Sequence, residues 1–228
     1  MAKELSTIDD NLSSMLFDFP TDHVLLIDKS INSCVANKFY LAELRYPPPA
    51  TPLPRPMKPL IGTDLKRFVR DYKRKNPQKR DVAAVLQSVE YPVNVGSVFR
   101  LADGAGIEQL ILTGITPKPP HPTIEKVGRG KINRVNWRYE EDAVEAIRQL
   151  KKEEYHILAV ELAQGAVPYH EYEYPEKVAL VVGHEDHGVT KATLAECDGA
   201  IFLPMYGKGL SLNVHVALSV ATYHVLHA

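Results

Sequence analysis

IFLPMYGKGLSLNVHVA, residues 201–217, reads as an apolar strand running to Leu203, a glycine-bearing loop, and a helix opening at Ser211. Gly207 and Gly209 permit positive φ and a close approach of backbone to a ligand. Ser211 is a favoured N-cap, and Asn213 falls in the first turn, beside backbone N–H groups without intrahelical partners. Such a junction holds a small ligand against bare backbone, or is simply a tight turn before a capped helix. The segments upstream decide between these readings.

Five short apolar runs precede or open this stretch: VAAVLQ (82–87), IEQLILT (107–113), HILAVEL (156–162), KVALVVG (177–183) and AIFLP (200–204). Helical patterns fall between them near 95–104, 140–154 and 190–196, with the last helix over 211–227. Continuous apolar strands separated by helices predict an α/β fold with a buried, mainly parallel, Rossmann-like sheet. No GxGxxG follows the first strand, so the dinucleotide fingerprint is absent and a standard Rossmann oxidoreductase is disfavoured.

The 228 residues are 45% hydrophobic and 24% charged, the composition of a globular protein with room for a good core. Cys34 and Cys197 make neither a metal-type spacing nor a disulfide framework, which predicts a reducing, cytoplasmic setting. No apolar run approaches membrane-spanning length, and no signal peptide is expected. Residues 1–46 carry no chemical motif, although His23–Ile27 reads as a strand and Cys34–Leu44 as a short helix. Prolines at 47, 48, 49, 52, 54, 56 and 59 predict an extended linker over 47–59.

Net charge is −1, yet it is unevenly spread. Residues 55–80 hold ten Lys/Arg and two Asp/Glu, a local +8, which leaves −9 elsewhere. Thr63 caps a predicted helix over 63–75, where Leu65, Phe68, Val69 and Tyr72 form one stripe and Lys66, Arg67, Arg70, Lys73 and Arg74 occupy the other faces. The pattern fits an arm that contacts RNA phosphates, or a solvated basic face docked by its apolar stripe. The predicted division is an N-terminal extension over 1–80 and an α/β domain over 81–228.

After the first strand comes EYPVNVGSVFRLADGAG, residues 90–106. Asn94 reads as a helix cap and Gly104 as its end, with Val95, Val98, Leu101 and Ala102 facing inward. Gly96 lies one turn from Arg100, clearing space beside the guanidinium, and Asp103 is placed to orient it. Loops after the carboxyl ends of parallel strands are where ligands bind. By pattern alone, an Arg–Asp surface pair explains the same residues.

NVGSVFRLAD (94–103), LVVGHEDHGV (180–189) and LPMYGKGLSLNV (203–214), in that order and with TGITPKPP (113–120) between the first two, resemble the signature motifs of the SpoU/TrmH-type SPOUT RNA methyltransferases. The resemblance covers residues 81–228. It implies methyl transfer from S-adenosylmethionine to a ribose 2′-hydroxyl of RNA, tRNA before rRNA, with no metal and no membrane. It also implies a C-terminal trefoil knot and a homodimer. The helix over 211–227, apolar around much of its circumference, independently predicts burial at a subunit interface or within one subunit.

Carried over by motif, the catalytic set is Asn94, Arg100, Glu185, Ser211 and Asn213. The cofactor would rest on Thr113, Gly183, Leu203, Met205, Gly207 and Leu212. The family proposal makes the equivalent of Arg100 the base. A guanidinium with a pKa above about 12 is better suited to clamping phosphate and a developing alkoxide, and the base role stays open. Glu185 is expected to orient Asn94 or its loop. His184 stands where Asn, Ser or Ala is more usual in the family. His184 and His187 flank Glu185 without a third ligand, so no metal is expected. The competing reading is an RNA-binding protein of the same fold without catalysis.

Overall fold

The computed structural model describes residues 58–228. The predicted strand at 23–27, the helix at 34–44 and nearly all of the proline-rich linker lie outside the described residues. Leu60–Ala228 forms one compact unit.

Helix α1 (Gly62–Lys75) precedes the sheet. It starts one residue before Thr63, with Ile61 at the cap position and no side-chain cap bond. The unit continues β1 (Asp81–Gln87), α2 (Pro92–Ala105), β2 (Gln109–Thr113), α3 (Pro122–Gly128), a 3₁₀ turn (Ile132–Arg134) and β3 (Trp137–Glu140). Then come α4 (Ala143–Lys152), β4 (His156–Val160), β5 (Val167–Pro168), β6 (Lys177–Val182), α5 (Lys191–Glu196), β7 (Gly199–Phe202) and α6 (Val214–His227). The strands form one sheet in the order β3-β2-β1-β6-β4-β7-β5. Every pairing is parallel, as the apolar runs predicted.

The period-2 geometry of a strand divides the core. Val82, Ala84 and Leu86 of β1 pack toward one face with Val98 and Phe99 of α2 and Leu218, Ala221 and Val225 of α6. Ala83 and Val85 pack toward the other with Ile147 and Leu150 of α4. All of these side chains are fully buried. Phe99 also meets Trp137 edge-on, with ring centroids 5.8 Å apart, tying α2 to the edge strand β3.

Several expected boundaries move for local reasons. Pro92 occupies the first turn of α2, where its missing N–H costs nothing, so the helix starts before Asn94, and Asn94 does not cap it. The end of α2 is Gly106 in the left-handed region, φ 70°, in place of Gly104. Helix α6 opens at Val214 with Asn213 as its N-cap, so Ser211 is a loop residue and not the cap. Gly207 and Gly209 are absent from the positive-φ glycines, so their backbone needs no glycine-only conformation.

Gly96 has a different task from the one the spacing suggested. A Cβ there would stand 2.8 Å from Val127 Cβ and 3.1 Å from Ile124 O. The glycine therefore lets α2 and α3 approach closely. Asp103 pairs with Lys131 at 2.8 Å and is not a partner of Arg100. Helix α6 buries Leu218, Ala221, Thr222 and Val225, while Val216, Val220 and Tyr223 stay exposed in the single chain. No helix among the described residues is long and apolar enough to cross a membrane.

Candidate active site

A cavity of about 880 Å³ opens beyond the carboxyl ends of β4, β6 and β7. Its walls come from three connections, 160–162, 182–188 and 202–214, together with Tyr91 and Asn94 of the second helix region. Open parallel sheets place ligands at this edge because the strands end there and only loops and helix starts follow.

The best-defined constellation is centred on Glu185. Its Oε2 accepts the Glu90 N–H at 2.9 Å, and its Oε1 accepts the Tyr91 N–H at 3.2 Å and the Asn94 amide at 2.6 Å. Partial burial pushes this carboxyl up. The N–H donors of Glu90, Asn94, Tyr91 and its own backbone outweigh that, so its pKa falls below the ordinary carboxylate value. Glu185 is therefore an ionised acceptor that joins its loop to the start of α2. Asn94, 4% exposed, is held there. Its carbonyl Oδ1 lies 3.3 Å from His215 Nδ1, and the Asn213 side-chain Oδ1 caps α6 by accepting the His215 N–H at 3.1 Å.

The floor is made by a tight crossing. His184 and Gly188 exchange backbone hydrogen bonds of 3.1 and 2.8 Å across a narrow turn, with Gly188 at φ 63°. Glu161 ties the turn to β4 by accepting the Val189 N–H at 3.0 Å. At Gly183 a Cβ would lie 2.1 Å from the Gly188 carbonyl carbon, so only glycine fits.

Of the residues expected to act in catalysis or hold the cofactor, Asn94, Glu185, Ser211 and Asn213 border this cavity, as do Gly183, Leu203, Met205, Gly207 and Leu212. Two do not. Arg100 is exposed on α2 and absent from the lining. Thr113 is buried and donates to the Leu86 carbonyl at 3.2 Å, beside a separate hollow of about 240 Å³. His215 and Glu161 escaped the sequence reading. A lone histidine on an apolar helix and a carboxylate after a strand carry no motif by themselves.

Glu90, His184 and Asp186 bring ligand-type atoms within 4.8 Å of one another. The Asp186 N–H donates to His184 Nδ1 at 3.1 Å, which puts the ring proton on Nε2, 3.3 Å from Glu90 Oε2. Nδ1 is taken by the turn's own backbone, and Nε2 makes a looser contact with Glu90, so this cluster reads as a hydrogen-bonded turn beside a carboxylate.

The residues that line the cavity include Glu161, Glu185 and Asp186 and no Lys or Arg. Such a wall favours a cationic ligand and disfavours a phosphate. Basic side chains gather instead on α1, where no residue is buried. Leu65, Phe68, Val69 and Tyr72 are exposed there too, so their stripe is not docked among the described residues. The ion pairs of α1 include Arg67–Asp64 at 4.0 Å and Arg74–Asp71 at 3.7 Å, loose and exposed, so among the described residues they hold the cations weakly.

The SpoU rRNA Methylase family model matches residues 81–223. A tRNA (guanosine(18)-2′-O)-methyltransferase of Thermus thermophilus is 33% identical over 143 residues, covering 63% of this chain and 73% of that one. The solved TrmH/SpoU tRNA modifying enzyme of A. aeolicus has 27% identity and a TM-score of 0.60, covering 72% of this chain and 82% of that one. An AdoMet-bound rRNA methyltransferase from Sinorhizobium meliloti has 25% identity and a TM-score of 0.60. That match covers 66% of this chain and 57% of the other, so the chain spans less than two thirds of that protein's length.

Proposed function

This chain belongs to the SpoU rRNA methylase family, and from that premise we propose that it transfers a methyl group from S-adenosylmethionine to a ribose 2′-hydroxyl of RNA. The observation that carries the proposal is the cavity at the strand ends, with its acidic wall and the Glu185–Asn94 bond at its edge. Its volume lies within the roughly 300–1,000 Å³ of small-molecule sites. The cofactor, a zwitterion with an added sulfonium charge, fits a wall with three acidic residues and no Lys or Arg better than an anionic nucleotide does. When bound it supplies an activated methyl group, so the protein's work is to position, to desolvate and to receive charge.

In this assignment the backbone of 203–212 and the bare Gly183 hold the cofactor. Asn94, Ser211 and Asn213 stand at the edge where the ribose enters. Glu185 keeps the Asn94 amide in place. Arg100, outside the cavity of its own chain, clamps RNA phosphate and the developing alkoxide. Its absence from the lining favours a homodimer in which surfaces of two chains complete a site, and the exposed Val216, Val220 and Tyr223 favour α6 as the contact. The trefoil knot of the family comes to this chain through its membership.

We take residues 81–228 as the methyltransferase domain and the preceding segment as an extension, with Lys66, Arg67, Arg70, Lys73 and Arg74 of α1 meeting RNA phosphates. A short basic arm suits a compact substrate, so tRNA is preferred to rRNA, in a cytoplasmic setting. The test is labelled-methyl transfer to purified tRNA and rRNA. Transfer to a 2′-oxygen should be abolished in Arg100→Ala. It should also be abolished in Asn213→Asp, which keeps the capping oxygen but loses the amide donor. Binding of S-adenosylmethionine with no transfer to either RNA would replace this reading with a non-catalytic one.

A further inference from the structure

His215 stands at the junction of two features already described, the N-terminal turn of α6 and the Asn94–Glu185 pair. Its Nδ1 is 3.3 Å from Asn94 Oδ1. The assignment of that contact follows from the partner on the other side. Ionised Glu185 can only accept, so the end of Asn94 that meets it at 2.6 Å is the NH₂ group. The end facing His215 is then the carbonyl oxygen, which can only accept. The proton in the contact belongs to His215 Nδ1.

Two bonds to its backbone fix where the residue stands in the first turn of α6. The His215 N–H donates to Asn213 Oδ1 at 3.1 Å, and its carbonyl accepts the Ser219 hydroxyl at 2.6 Å. The ring itself is half-buried, and burial pushes the imidazole below its ordinary pKa, which favours the neutral form near pH 7. Neutral His215 therefore carries its proton on Nδ1 and leaves Nε2 unprotonated, the reverse of His184 in the neighbouring loop.

We propose that His215 is a positioning residue for methyl transfer: through Nδ1–H it holds the Asn94 carbonyl, and so fixes which face of that amide meets the ribose. An asparagine side chain held only by Glu185 can pivot about that one bond. Held at both ends it cannot, and its second amide hydrogen keeps a constant direction. The inference rests on the proposed methyl transfer for its kinetic consequence and on hydrogen bonding alone for its structural one.

The test has two arms. Nitrogen-15 spectroscopy of the histidine rings needs no substrate. His215 should show a protonated Nδ1 and a bare Nε2, and Asn94→Leu should release the ring to the commoner Nε2–H form. A protonated Nε2 in the unaltered protein overturns the proposal whether or not the protein methylates RNA. The kinetic arm is read on protein that does methylate. His215→Leu should lower kcat on the order of 10- to 100-fold, the scale of a small misplacement of reacting groups, with calorimetric affinity for S-adenosylmethionine retained. His215→Asn puts an amide N–H where Nδ1–H stood and should recover most of the loss. If His215→Asn is as slow as His215→Leu, the ring's Nε2 is what matters and positioning through Nδ1 is wrong. A fully active His215→Leu overturns it equally.

Discussion

Gly183 and Gly207 border the same cavity, and the structure assigns them opposite tolerances. At Gly183 an added Cβ meets backbone, 2.1 Å from the Gly188 carbonyl carbon, 2.2 Å from its oxygen and 2.3 Å from Val189 N. No rotamer relieves those contacts, because the atoms belong to a turn pinned by the two His184–Gly188 bonds and by Glu161. Relief needs a backbone shift of the order of 1 Å. Overpacking of this kind costs typically 1–3 kcal/mol, and backbone atoms on the far side put Gly183→Ala at about 3 kcal/mol. For a chain of this size that lowers Tm by roughly 6–12 °C. At Gly207 nothing lies within 4 Å of the added atom, and φ is outside the left-handed region. Gly207→Ala should therefore leave stability unchanged or raise it by about 0.4–1 kcal/mol, since alanine restricts the unfolded chain. Thermal unfolding followed by circular dichroism measures both, with calorimetric titration of S-adenosylmethionine beside it. A Gly183→Ala protein that melts within about 2 °C of the original, less than 1 kcal/mol, and binds the cofactor as well would show that the crossing is not as tight as described.

Arg100→Lys keeps the charge and loses the planar fork, so most turnover at saturating RNA and cofactor should vanish while Tm holds, the side chain being exposed. Replacing Lys66, Arg67, Arg70, Lys73 and Arg74 together by Gln should weaken RNA binding and flatten its dependence on salt, with cofactor affinity unchanged; a gel-shift series across salt concentrations reads this. Acid should destabilise the unit through Glu185 and Asp198. In both, partial burial raises the pKa but hydrogen bonds more than offset it, at Asp198 from the Ile157 N–H and Lys151. Such depressed groups contribute stability that is complete above their unfolded values, near 4, and is lost as pH falls through the folded ones. Tm should therefore fall as pH drops below about 4, and less steeply in Asp198→Asn.

The sheet was legible because its strands are buried on both faces and read as continuous apolar runs, an effect that β3 and β5 do not share. WRYE at 137–140 is an edge strand of half-buried residues, and β5 is two residues long, so neither produces a run. PTIEKVG is also too short for a helical period to emerge; Pro122 and the His121 cap, whose Nδ1 accepts the Thr123 N–H at 3.2 Å, define that helix. Gly96 and Asp103 show a different failure. Their sequence neighbours suggested Arg100 as the common partner, but their actual partners, Val127 and Lys131, are brought in by the unrecognised helix and the turn after it.

At the site, motif order picked out most of the residues that border the cavity, Arg100 and Thr113 excepted, and capping chemistry decides what each has left to offer. Asn94 and Asn213 were read as a cap and a first-turn residue, and the structure reverses them. Because Pro92 starts α2 early, Asn94 is released from capping and its two ends go to Glu185 and His215. Asn213 takes the cap and commits its oxygen to the His215 N–H. Both carbonyl oxygens are thus occupied within the protein, and the amide hydrogens that remain are donors. Two asparagines left only with donors suit a site where negative charge grows on a ribose oxygen, and suit poorly one that must bind a metal or pull a proton away. That is why Asn213→Asp, conservative as a cap, is the sharper test of chemistry than removal of the side chain: it preserves the fold's use of the residue and deletes the reaction's.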